Sequence, residues 1–68
     1  MEKNFAETYL LIGMYRDLGA YKQFKRNRET RTKIGMKLKM RWKNNIDRKA
    51  FERYFADHRI TKEDIGLE

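Results

Sequence analysis

The sequence predicts a mostly α-helical fold, a small compact domain of three to four helices, and three observations carry that prediction. Residues 4–18 and 45–58 each combine a capping start with apolar residues at helical spacing. Between them, Ile34, Leu38 and Trp42 recur every four residues in a stretch of lysine, methionine, leucine and arginine, all good helix formers. The chain has 68 residues, no proline, no cysteine and no Gly/Ser linker, so it has room for one core and no disulfide to support it. We read one small basic domain over residues 1–66 and take residues 67–68 as a vector-derived remnant.

In the first helix, NFAETYLLIGMYRDL, Asn4 stands where an N-cap is wanted, with Glu7 at capping-box spacing. Gly19 follows at the position of a left-handed C-terminal cap. Phe5, Tyr9 and Ile12 form one apolar stripe, and Leu10, Met14 and Leu18 form another. A helix apolar around so much of its circumference is expected at the centre of the fold or between two subunits.

The middle segment admits two readings. Ile34, Met36, Leu38, Met40 and Trp42 alternate with Lys33, Gly35, Lys37, Lys39 and Arg41, the period of a half-buried strand. The alternative fold is therefore α+β, with residues 32–42 as a basic strand pairing in a hairpin or across a dimer. Such a strand would find no well-patterned partner in the chain for its backbone groups, which favours the helix. The helix in turn leaves Met36 and Met40 among lysines.

The third helix, NNIDRKAFERYFADH, can be capped by Asn44 or Asn45, and Asp47 lies in the first turn, where the macrodipole favours negative charge. Ile46, Ala50, Phe51, Tyr54 and Phe55 define its inner arc, and Arg48, Lys49, Glu52 and Arg53 its solvated side. TKED, Thr61 to Asp64, opens a short terminal turn. The expected core is Phe5, Tyr9, Ile12 and Leu18 against Ile46, Phe51, Tyr54 and Phe55.

Charge is the most informative property. Residues 22–43 hold ten basic side chains and one acid, Glu29, whereas the rest of the chain holds seven basic and nine acidic ones. The net +7 is thus the work of the middle third alone. Like charges at that density repel, and a polyanion relieves the repulsion. The candidate binding residues are Lys22, Lys25, Arg26, Arg28 and Arg31, followed by Lys33, Lys37, Lys39, Arg41 and Lys43. Tyr21 and Phe24 interleave the first of these, as rings that can stack on unpaired bases or pack in the core; their spacing favours the core. Gln23 and Asn27 carry amides of the kind that read an adenine edge. Trp42 is expected to anchor the core.

Catalysis is not expected. The chain has no serine, no cysteine and one histidine, His58, which sits at a helix end where the dipole favours it. Its acids show neither ligand spacing nor an acid and base pair, and no glycine loop can cradle a phosphate. No cofactor and no metal are expected. A helix-turn-helix is disfavoured because the last helix spends Phe51, Tyr54 and Phe55 on burial.

The expected function is a small non-enzymatic nucleic-acid-binding protein, with DNA favoured over RNA, acting as a regulator of phage or mobile-element scale. The alternative is a basic inhibitor or adaptor that docks on an acidic partner protein. No 18-residue apolar run or secretion signal is present, so no membrane partner is expected and the cytoplasm is the default compartment. Self-association as a homodimer is compatible with so small a core.

Overall fold

In the computed structural model, the backbone is described from Lys3 to Leu67 and the side chains from Ala6 to Leu67. Three helices, α1 (Lys3–Ala20), α2 (Lys25–Lys43) and α3 (Arg48–His58), are followed by a 3₁₀ helix at Lys62–Ile65. No strand occurs among the described residues. The mostly α reading holds, and the alternating segment 32–42 is helical. Its apolar positions explain the choice: Ile34 and Leu38 are buried and Trp42 half-buried on one side, while Met36 and Met40 are 62% and 60% exposed on the other. A helix satisfies its own backbone groups, whereas the strand would have left a full edge unpaired.

The turn Tyr21–Phe24 folds α2 back along α1. Gly19 meets Arg31, Tyr15 meets Gly35, and Glu7 meets Arg41, pairings that advance in opposite directions along the two helices. Gly19 is not the expected left-handed cap, because α1 runs through it to Ala20. Its missing Cβ has another reason: a methyl there would lie 3.1 Å from Arg31 Nε, which donates to the Tyr15 carbonyl at 3.1 Å. The described helix already includes Lys3, one residue ahead of the expected start. The side chains of Asn4 and Phe5, assigned to a cap and to the core, lie outside the described residues.

α3 starts at Arg48, three residues later than expected, because Asn44–Asp47 is a tight turn with Asn45 and Asp47 in the left-handed region at φ 57° and 55°. That turn carries Ile46 outward, so this residue is 45% exposed and not part of the core. Arg48 also departs from expectation. It lies over Trp42 with its guanidinium carbon 3.6 Å from the ring centroid, and it donates to the Trp42 carbonyl at 2.6 Å. At the far end of α3, Arg59 at φ 53° reverses the chain, and the Ile60 amide donates to the Phe55 carbonyl. Thr61 and Asp64 make the expected cap, with the Thr61 amide donating to the Asp64 carboxylate at 2.8 Å.

The core joins Ile12 of α1, Ile34 and Leu38 of α2, and Phe51 and Tyr54 of α3 to Ile65 and Leu67. Tyr9, Leu18 and Phe55 pack around it as expected, partly buried. Leu67, set apart as a remnant, is 2% exposed: the 3₁₀ helix tucks it beneath the bundle. Burying a side chain of that size contributes about 1.5–3 kcal/mol, a large gain for a domain this small. Edge-to-face contacts of Trp42 with Phe51 and of Tyr9 with Tyr54, at 5.4 and 5.0 Å, hold α3 to the other two helices. The Tyr9 hydroxyl donates to Asp57 at 3.4 Å, and burial, then the neighbouring carboxylate, raises its pKa above the usual tyrosine value. The radius of gyration is 11.6 Å, close to the roughly 11 Å expected of a folded chain of this length.

Candidate nucleic-acid interface

Because the inner face of α2 is committed to Ile34 and Leu38, helical geometry turns most of its cations outward. Lys25, Arg26, Arg28, Lys33, Lys37, Lys39 and Lys43 are all exposed, and Lys22 in the preceding turn joins them. At 100° per residue five of them form two rows. Arg28 and Lys39 flank the outer face on one side, and Arg26, Lys33 and Lys37 on the other, with Met36 and Met40 between. The single acid of this surface, Glu29, sits 4.0 Å from Lys25, and both are largely exposed, so the pair offsets little of the charge.

Two of the ten expected cations are not part of this open surface. Arg41 turns inward, donating to Glu7 at 2.6 Å and to Asp47 at 2.7 Å. The Asp47 carboxylate, 6% exposed, also accepts from the buried Thr8 hydroxyl at 2.8 Å. Arg41 is therefore a structural clamp between α1 and the α2–α3 turn, and Glu7 serves that clamp. The second exception, Arg31, is half-buried, its guanidinium carbon 3.9 Å from the centre of the Tyr15 ring. Sequence pattern could not separate these two from their neighbours, since Tyr15 lies 16 residues from Arg31 and Glu7 lies 34 from Arg41, and Asp47, only six away from Arg41, meets it through a left-handed turn.

The turn before α2 reverses the expectation for its aromatic rings. Tyr21 and Phe24 are each 58% exposed and do not pack in the core. The cause is local: α1 ends and α2 begins within four residues, so both rings sit at the hairpin tip. The turn is braced, with the Asn27 amide donating to the Tyr21 carbonyl at 3.0 Å and Arg28 to the Lys22 and Gln23 carbonyls at 2.9 and 3.3 Å. The Asn27 amide is thereby used on the backbone; Gln23 remains exposed.

Beside the outer face of α2 run two adjoining cavities of about 370 and 420 Å³, which share Lys39 and Gly66. Lys22, Arg28, Arg31 and Lys39 line the first, and Lys39, Lys43 and Arg48 the second. No acid is among their lining residues. Tyr15 forms part of the floor between Gly35 and Gly66, where an added Cβ would come within 3.0 Å of its ring or hydroxyl.

Among the described residues no cluster of histidine, cysteine or carboxylate has the arrangement of a metal site, and no helix is long and apolar enough to cross a membrane. His58 lies flat against Tyr54 at 3.8 Å, with Nδ1 3.1 Å from the Tyr54 carbonyl. Fold and surface together define a class, a three-helix domain whose second helix is polycationic on its outer side. No family model matches the chain, and no curated protein and no solved structure matches it either.

Proposed function

We propose that this protein is a non-enzymatic nucleic-acid-binding domain, DNA favoured over RNA, that neutralises phosphates with the outer side of α2 and the turn before it. The observation that carries this reading is the exposure of eight cations on one helix and its leading turn, with one acid among them. Tertiary folding uses Arg31 and Arg41 and leaves the others facing solvent, a costly arrangement unless an anionic surface meets them. Each phosphate engaged releases condensed counterions, so affinity falls with salt along a log–log slope of about −0.9 per contact on duplex and about −0.7 on a single strand. About five contacts on a duplex correspond to a slope near −4.5. We expect charge reversal at Lys37 and Lys39 to weaken binding and flatten that slope. Binding of a generic oligonucleotide that ignored salt would overturn the proposal.

A second reading is favoured by Met36 and Met40, which lie exposed between the two cationic rows. An apolar strip rimmed by cations also suits an acidic protein partner. A partner captured from extract and retained after nuclease digestion supports that adaptor role; loss on digestion opposes it.

A further inference from the structure

We infer that the nucleic acid is engaged as a single strand, with its phosphates in the trough beside α2 and its bases on Tyr21 and Phe24. The inference rests on the nucleic-acid reading above and deepens it. Three observations converge. The trough is concave and lined by Lys22, Arg28, Arg31, Lys39, Lys43 and Arg48, without an acid. Arg31 and Arg48 are held over Tyr15 and Trp42, at 3.9 and 3.6 Å, so neither guanidinium must be ordered on binding. At the end of the trough marked by Lys22, the hairpin tip presents two exposed rings on a braced turn.

A duplex makes poor use of this arrangement. Its bases are already stacked and offer no faces to Tyr21 or Phe24. To enter a major groove α2 would lead with its outward crest, whose centre is Met36, Met40 and Glu29, with Lys25 and Lys43 to one side and Lys33 to the other. A single strand bends to follow the cations, and its bases swing out to stack, a contact that every base can make.

The test is fluorescence anisotropy with an oligonucleotide of about 12 nucleotides, within the range single-strand binders cover. It is offered as single-stranded DNA, as single-stranded RNA and as the matching DNA duplex, all at low salt. The expected result is single-strand affinity at least about tenfold above duplex, with the Tyr21→Ala, Phe24→Ala double variant losing about tenfold or more on single strands and nothing on duplex. Lys39→Glu, at the junction of the two cavities, should weaken single-strand binding too. All three side chains are exposed, and circular dichroism checks that the variants stay folded. Duplex binding as tight as single-strand binding, with the ring variant unchanged, overturns this inference and leaves the nucleic-acid reading standing. Failure of every oligonucleotide to bind at low salt overturns both.

Discussion

Arg41 shows how one residue changes role between pattern and fold. It belongs by spacing to the row of Lys33 and Lys37, yet a guanidinium can serve two carboxylates at once, and here it reaches both Glu7 and Asp47. Asp47 is held in a left-handed conformation at φ 55° and is almost fully enclosed, so the loss of its cation leaves a desolvated carboxylate. We expect Arg41→Ala to cost about 3 kcal/mol, measured as a lowered urea midpoint. Arg41→Lys should recover only part, because an ammonium lacks the fork that spans both acids. Glu7, more than half exposed, should cost less than about 1 kcal/mol when replaced by glutamine. A full loss in Arg41→Lys combined with none in Arg41→Ala would contradict the clamp.

At the scale of the element, the helical glycines separate propensity from packing. Beyond the backbone of its own helix, nothing stands within 4 Å of where a Cβ at Gly13 would be, so Gly13→Ala gains helix propensity without a clash. It should stabilise the fold by about 0.5–1 kcal/mol. Gly35 carries the same propensity deficit, but its Cβ would stand 3.0 Å from the Tyr15 ring. That ring cannot yield easily, since Arg31 covers it and Gly66 approaches its hydroxyl. Gly35→Ala should therefore lower the melting temperature while Gly13→Ala raises it; equal shifts in the two variants would mean that propensity alone governs α2. The same packing explains why the α1–α2 interface tolerates so polar a helix: Gly19 and Gly35 let Arg31 and Tyr15 interlock with the opposite backbone.

For the whole molecule, the decisive feature is a charge distribution that opposes folding. Eight exposed cations on and before α2 repel one another over distances that salt screens, as the Debye length falls from about 30 Å at 0.01 M to about 10 Å at 0.1 M. Raising salt over that range should increase the melting temperature by roughly 4 °C or more, the equivalent of about 1 kcal/mol. The same change should weaken oligonucleotide binding. A melting temperature that falls with salt would show instead that the Arg41 ion pairs outweigh the repulsion. A bound polyanion should stabilise the domain as salt does, which ties the two readouts to one cause.

The helices and the location of the excess charge were legible in the linear order of residues, because each follows from local spacing. Ile34, Leu38 and Trp42 marked the inner side of α2, and Thr61 with Asp64 marked the terminal cap. Which cations remain outside was not legible. Arg41 leaves the surface only because folding brings Glu7 and Asp47 beside it, while Arg31 and Arg48 are held half-buried over Tyr15 and Trp42 along the trough. Tyr21 and Phe24 have the spacing of buried rings, yet a four-residue turn sets them at the tip of a hairpin, beyond reach of the core. Ile46 is carried outward by a turn, and Leu67 is drawn inward by a 3₁₀ helix, for the same reason. Where helices form and where charge gathers could be read from the residues in order, since both depend on neighbours along the chain. Which of those side chains meet solvent could not, because it depends on partners that folding brings close.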